Sequence, residues 1–240
     1  MKVLIVISAR DEEKIIEDNV SKLIDFMKKQ KDYSWHLIVS EDSSRDNTPA
    51  ILKKLAQRYP KKQFSFISNK KGSKSESVKR GWYSQKADIY MYMDADLSTD
   101  ISHIPELIQG IKQGYDIVVG SRGLKNSNVE RSMKRNFISY AYNILTRLFF
   151  SLNVKDLQCG FKAISQRTLD EIVKKTKYIE QGFMDTEMLI LASQKKFKIK
   201  EIPVKWQDYR KSKFNFLFVA IRFINNLLKV KRDLILKHYD

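Results

Sequence analysis

Through roughly its first 120 residues the chain alternates short apolar runs with stretches in which apolar residues recur every three or four positions. Val3–Ile7, His36–Val39, Phe64–Ser68, Ile89–Met93 and Asp116–Val119 have the length and pattern of strands. Between them, Ile16, Val20, Leu23, Ile24 and Met27 keep helical spacing, as do Ile51, Leu52 and Leu55. Val78 with Trp82, and then Ile104, Leu107, Ile108 and Ile111, repeat the pattern. Strand–helix alternation of this kind predicts an α/β fold built on a doubly wound sheet. Only eight glycines occur and no Gly-x-Gly-x-x-Gly is present, which argues against an ordinary NAD-binding domain.

The second half has a different rhythm. Residues 131–152 carry Phe137, Ile138, Tyr140, Ala141, Ile144, Leu145, Leu148 and Phe149 in a long helical pattern. Residues 197–206 read as one strand, with a bulge or bend where the phase changes at Glu201–Ile202. Phe214–Val230 is strongly apolar but interrupted by Asn215, Arg222, Asn225 and Asn226. The expected organisation is one catalytic domain over residues 1–210 and an amphipathic helical tail over 211–240. A chain of 240 residues, 42% of them hydrophobic, can fill the core of such a domain.

Charge limits the partners. The formal net charge is +17, which calls for an anionic partner: nucleic acid, acidic lipid or a phosphorylated substrate. No helix-turn-helix, RNA-recognition or zinc pattern supports nucleic acid, and His36, His103, His238 and Cys159 are scattered. A single cysteine excludes an internal disulfide and fits a reducing compartment. Val3–Ile7 is too short for a signal peptide, and acids follow it at once. No stretch approaches the roughly 18 apolar residues of a spanning helix.

Three acidic clusters follow three of the predicted strands: Asp11 and Glu12; Glu41, Asp42 and Asp46; and Asp94 with Asp96. In a parallel sheet the carboxyl ends of the strands share one edge, where ligands bind. Carboxylates there can hold a divalent cation, which neutralises a diphosphate, or accept hydrogen bonds from a base or ribose. Each cluster also has a plain structural reading. Asp-x-Asp alone is common in turns, Asp42-Ser43-Ser44 suits a helix cap, and Asp11 and Glu12 suit a helix N-terminus. Three clusters on one edge favour the binding reading.

These clusters, with motifs downstream, resemble glycosyltransferase family 2, of the GT-A fold, and especially its polyprenyl-phosphate sugar synthases. Ser8 to Glu13 is similar to the family's Pro-x-x-Asn-Glu opening, with Ser8 for proline and Asp11 for asparagine. Ser40 to Thr48 resembles its Asp-Asp-Gly-Ser-x-Asp-x-Thr motif, with Glu41 and Ser43 as departures. Asn69 to Gly81 resembles a glycine-rich loop that has lost most glycines, and Met93 to Thr99 matches the metal segment closely. Gly120 to Arg122, Asp156 to Lys162, Gln181 to Leu189 and Glu201 to Trp206 follow in the family's order.

The resemblance implies a GT-A type, Rossmann-like mixed sheet and transfer of a hexose from UDP-glucose or GDP-mannose to a polyprenyl (dolichyl) phosphate, with inversion. It places Ala9, Asp11, Glu12, Glu41, Asp42, Lys74, Asp94 and Ala95 at the nucleotide-sugar. It makes Asp94, Asp96, Arg122 and Asp185 catalytic, and Asp96 the ligand of Mg²⁺ or Mn²⁺, with Asp94 and Ser98 beside it. Arg122, Arg131, Ser132, Arg135, Arg210, Ser212 and Lys213 fall where relatives bind the acceptor phosphate. Asp185 sits where relatives with hydroxyl acceptors carry a base; a helix-capping role fits it equally.

The apolar-basic segments Phe137–Leu152 and Phe214–Val230 suit helices lying in an anionic membrane surface, on its cytosolic face. Core packing explains the first nearly as well, and a homo-oligomer through the C-terminal helix would cover the second. A polysaccharide or glycoconjugate acceptor is the alternative on the same fold. A non-catalytic partner subunit or a nucleic-acid-binding protein is the remote one.

Overall fold

The computed structural model describes residues 1–69, 73–130, 133–178, 182–207 and 216–239, without the side chains of residues 133–138 and 216–221. Strand β1 (Lys2–Ala9) sits inside the sheet. Its alternate residues Val3, Ile5 and Ile7 enter one core and Leu4 and Val6 the other. A strand buried on both faces must be apolar throughout, which is why this run lacks polar alternation.

Strands β2 (Ser34–Asp42) and β4 (Ile89–Asp94) flank β1 in parallel, and β3 (Phe64–Asn69) lies parallel outside β2. Helices α1 (Ile16–Lys28), α2 (Thr48–Arg58) and α4 (Ile104–Lys112) cover one face. Helix α3 (Lys74–Tyr83) packs on the other through Val78 and Trp82. It comes so close to β1 that a Cβ on Gly81 would stand 2.5 Å from a Val6 methyl.

Beyond β4 the order departs from simple alternation. Strand β7 (Phe161–Ser165) runs antiparallel between β4 and β5 (Ile117–Ser121), and β8 (Ile199–Pro203) lies parallel outside β5. The sheet order is therefore β3-β2-β1-β4-β7-β5-β8, the mixed sheet implied by the resemblance. Helices α5 (Met133–Phe150), α6 (Gln166–Glu171), α7 (Met184–Gln194) and α8 (Phe216–Ile235) complete the second half. Residues 184–192 of α7 are all buried, so its two acids, Asp185 and Glu187, lie inside the protein.

The strand expected over 197–206 is two strands. The chain leaves the main sheet at Val204, not at Glu201–Ile202. Val204 is buried; its N–H donates to Ser127 Oγ at 3.2 Å and its carbonyl accepts from Asn128 N at 3.0 Å. That capture sends β9 (Lys205–Gln207) into a separate two-stranded sheet with β6 (Asn128–Glu130).

Helices α5 and α8 each show two characters. Phe150 is buried while Tyr140, Leu145, Leu148 and Phe149 are exposed. On α8, Phe223, Leu227 and Val230 join the same core as Leu4 and Val6, and Ile224, Leu228 and Ile235 face outward. No helix among the described residues is long and apolar enough to cross a membrane.

His36, on β2, is buried near the opposite end of the sheet from the acidic clusters. Its Nδ1 lies 3.1 Å from the Lys62 carbonyl, and its Nε2 lies 2.8 Å from Ser65 Oγ and 3.2 Å from Gln85 Nε2. Burial holds its pKa below the ordinary value, despite the Lys62 carbonyl, with Lys2 adding to the lowering. The unfolded chain therefore takes up this proton first. The site's contribution to stability is whole above about 6.5 and declines as pH falls below it. Denaturant titrations of wild type and His36→Gln at pH 7.5 and 5.5 are expected to show wild type losing more stability on acidification.

Candidate active site

Parallel pairing sets the first arrangement. Ala9 at the end of β1 is level with Glu41 on β2, and Ser8 is level with Asp94 on β4. The acidic clusters thus meet on one edge. Backbone hydrogen bonds lace the first two loops together: Asp11 N donates to Ser44 Oγ at 3.0 Å, and Arg45 N to Asp11 Oδ1 at 2.7 Å. Glu12 N donates to Thr48 Oγ1 at 2.9 Å, and Glu13 N to Asp46 Oδ2 at 3.0 Å. Asp11 and Ser43 both adopt positive φ, 55° and 54°, a cost offset by this lacing.

Glu41 and Asp42 are buried at the end of β2. Glu41 accepts from Ser44 N. Asp42 Oδ1 has no hydrogen-bond partner among the described residues. Burial raises the Asp42 carboxyl above its ordinary pKa, against Ser77 and Arg10, which lower it. A buried acceptor without a donor is costly. The capping reading fails here: α2 starts at Thr48, whose N–H is taken by Asp46 Oδ1 at 2.9 Å. Asn69, at the end of β3, steadies the loop, its Nδ2 lying 3.0 Å from Ser40 Oγ, 2.8 Å from Glu41 O and 3.1 Å from Ser77 Oγ.

Asp94 stands at the centre. Lys74, from the first turn of α3, reaches its Oδ1 at 2.5 Å, and the same ammonium lies 5.5 Å from the Tyr92 ring centre. Loss of water around Lys74 Nζ lowers its pKa, but Asp94 and Tyr92 outweigh this and hold it well above its ordinary value. On the other side of Asp94 lies Gly160, just before β7. A Cβ there would come within 2.1 Å of Asp94 Oδ2, so this position requires glycine. After Asp94 the chain turns through Leu97, with φ at 50°. Asp96 Oδ1 accepts from Ser98 N at 3.0 Å, and Asn19 Nδ2 clamps the turn by donating to Ala95 O at 2.8 Å.

Under this surface lies a set of buried charges. Lys162 is wholly enclosed, donates to Cys159 O, and stands 3.3 Å from Asp185 Oδ1. Burial raises the Asp185 carboxyl above its ordinary pKa, opposed by Lys162 and Lys74. The capping alternative for Asp185 fails, because α7 has no side-chain cap bond and Asp185 faces Lys162. Burial alone would raise Asp156, yet Arg122 holds it at about 2. Arg122 donates to Asp156 through Nε at 2.7 Å and Nη2 at 2.9 Å, while its guanidinium lies 5.4 Å from the Trp206 ring centre. Burial pushes the Cys159 thiol up to about 11.

Most sequence-predicted donor residues are thus brought together: Ala9, Asp11, Glu12, Glu41, Asp42, Lys74, Asp94, Ala95 and Asp96 occupy adjacent strand ends and the start of α3. Arg131, Ser132, Arg210, Ser212 and Lys213 lie outside the described residues, as does the side chain of Arg135. Sequence reasoning assigned no role to Tyr92, Gly160, Lys162, Asn19 or Asn69. For Gly160 and Lys162 the available signal was the Asp156–Lys162 motif, whose individual residues carry no label until β7 is placed.

No group of three or more His, Cys, Asp or Glu side chains is set to enclose a metal among the described residues. The donor set still fits Mg²⁺ or Mn²⁺ with a nucleotide. Such ions are commonly held by one or two carboxylates plus substrate phosphates and water. Asp96 and Asp94 would supply the protein's share.

The profile of glycosyl transferase family 2 matches residues 4–173. The chain belongs to glycosyltransferase family 2. This transferase is 32% identical over 209 residues to glycosyltransferase AglD of Haloferax volcanii, covering 86% of this chain and 33% of AglD. It is 27% identical over 234 residues to the dolichyl-phosphate beta-glucosyltransferase of Saccharomyces cerevisiae, covering 90% of this chain and 70% of that one. Among solved structures, glucosyl-3-phosphoglycerate synthase from Mycobacterium tuberculosis with UDP superposes with a TM-score of 0.72 at 17% identity, over 95% of this chain and 79% of that one. A complex of the same enzyme with Mn²⁺, UDP and glucosyl-3-phosphoglycerate gives 0.71. The transferase therefore shares their fold.

Gly160→Ala would force the Asp94 carboxylate away from Lys74. The expected result is a fall in kcat/KM on the order of 10²-fold, the scale of an ångström misplacement. Melting temperature should drop by less than about 5 °C.

Proposed function

We propose that this transferase moves a hexose from a nucleotide-sugar, UDP-glucose or GDP-mannose, to a dolichyl-type polyprenyl phosphate, with inversion at the anomeric carbon. The observation that carries this reading is the meeting of Asp42, Lys74, Asp94 and Asp96 on one sheet edge. The relatives named dolichyl-phosphate beta-glucosyltransferase support the acceptor and favour glucose.

Asp42 Oδ1 would accept a hydrogen bond from the nucleoside. Lys74 would exchange part of its hold on Asp94 for the diphosphate. A bound Mg²⁺ or Mn²⁺, held by Asp96 with Asp94 beside it and Ser98 next along the turn, supplies positive charge for the leaving group. A lipid phosphate oxygen attacks the anomeric carbon, the bond to the nucleotide diphosphate oxygen breaks, and the diphosphate departs with that electron pair. A phosphate monoester is already largely ionised above a second pKa of about 6, so no general base is needed. Asp185, held by Lys162, serves to position rather than to take a proton. The acceptor phosphate would meet Arg122 with Arg131, Ser132, Arg135, Arg210, Ser212 and Lys213.

In the same reading, residues 1–210 carry the catalytic groups, and the segment 211–240 lies at the membrane through its outward face, while Phe223, Leu227 and Val230 on its other face close the core. The exposed Tyr140, Leu145, Leu148, Ile224 and Leu228 support peripheral binding at the cytosolic face of an anionic membrane, and the net charge of +17 adds attraction. A homo-oligomer through α8 would cover part of the same surface.

Incubation with radiolabelled UDP-glucose or GDP-mannose, Mn²⁺ and polyprenyl-phosphate vesicles should place label in the organic phase. Label confined to the aqueous phase, with turnover intact, would favour a glycoconjugate acceptor instead. Asp96→Asn is expected to lower kcat by about 10²- to 10³-fold while folding normally. Wild type should gain melting temperature with the donor nucleotide and Mn²⁺ together, and Asp96→Asn should lose the part that depends on Mn²⁺.

A further inference from the structure

Glu187 is fully buried in the first turn of α7, two residues beyond Asp185. Three donors converge on it. Lys177 N donates to Oε1 at 2.9 Å, Tyr178 N to Oε2 at 2.8 Å, and Tyr239 Oη to Oε1 at 2.6 Å. The two backbone donors precede α7 in sequence, but Tyr239 arrives from beyond α8, 52 residues away.

Tyr239 is itself held on several sides. Its carbonyl accepts from Lys175 Nζ at 2.6 Å, and Lys177 Nζ lies 4.5 Å from its ring centre. Lys177 Nζ also donates to His238 O at 2.9 Å. Six residues earlier, Asp233 accepts from Tyr178 Oη at 2.8 Å and lies 3.7 Å from Lys177 Nζ. Tyr239 is 3% exposed, so its hydroxyl is committed to Glu187 within the interior. Residues 233–239 thus form a clasp over 175–178, and its innermost bond ends on α7.

What that bond fixes is chemically specific. The first turn of α7 also carries Asp185, which faces Lys162 at 3.3 Å. Lys162 donates to the carbonyl of Cys159, and the next residue is Gly160, packed against Asp94. We infer that Tyr239 is a positioning residue for sugar transfer: by completing the shell of Glu187 it sets the first turn of α7, and hence Asp185, against the Lys162–Gly160 floor beneath Asp94. A buried carboxylate deprived of one donor shifts towards other donors or water. Here such a shift would rotate the turn bearing Asp185. The inference rests on the proposed reading that Asp185, held by Lys162, positions the groups that take part in sugar transfer.

The test uses the full chain with donor, Mn²⁺ and polyprenyl-phosphate vesicles, at a temperature well below every variant's melting point. Tyr239→Phe removes only the hydroxyl. The expected result is a kcat lowered about tenfold with the donor KM within about twofold, the pattern of a contact that matters in the transition state. An unchanged kcat, whatever happens to the melting temperature, would overturn the inference by showing that the clasp only stabilises the fold. A raised KM with unchanged kcat would overturn it too. If Tyr239→Phe fails to fold, Glu187→Gln is read by the same criteria. Asp185→Asn separates the two levels. Full activity in that variant removes Asp185 from the site and this inference with it. Lost activity there, beside normal kcat in Tyr239→Phe, removes the inference alone.

Discussion

The antiparallel placement of β7 beside β4 is the constraint on which the rest of the site depends. Because Met93 pairs with Phe161 in opposite directions, the residue before β7 arrives beside the residue ending β4. That residue is Gly160, and only a hydrogen in place of a side chain leaves room for the Asp94 carboxylate. The same register sends Lys162 beneath the surface, where it meets Asp185. A parallel strand here would have needed a crossover and would have delivered the opposite end of the segment to this edge.

The buried charges gain meaning from this frame. Burying an ion is costly unless a partner and further hydrogen bonds compensate it. Lys162 and Asp185 meet it only in part, standing 3.3 Å apart with Asp185 Oδ1 lacking a hydrogen bond among the described residues, while Arg122 with Asp156 satisfies it. Glu187 does so with two N–H groups and a phenol. None of these is the cheapest way to fill a core. Arg122 and Asp185 share proximity to Asp94, which fits an arrangement that keeps charge fixed before a substrate arrives. Among the described residues Asp42 lacks even an ion-pair neighbour of that kind: its Oδ1 is buried without a hydrogen-bond partner, at the strand ends where Asp94 stands.

Helices α5 and α8 resolve an ambiguity that sequence left open. Their apolar residues exceed what one contact face can use. In the folded chain, one set on α8 closes the core behind α7, and another set remains outside. Core packing and an outward apolar face are therefore both present on one helix. The clasp formed by residues 233–239 ties this helix to the first turn of α7 through Asp233 and Tyr239.

Sequence by itself determined the layered sheet, because a run such as Val3–Ile7 can be buried on both faces only between covering helices. It also determined that Asp11, Glu41, Asp42, Asp94 and Asp96 share an edge, since parallel strands place their carboxyl ends together. Local signals carry that far because strand period, helix period and chain direction are all written in neighbouring residues. The break at Val204 was not legible, because it depends on Ser127 and Asn128 from a distant segment. Nor were the roles of Gly160, Lys162 and Tyr239, since each follows from a partner far away in the chain: Asp94, Asp185 and Glu187. Tertiary structure alone decided these, because a close approach or a buried ion pair exists only once both elements are in place.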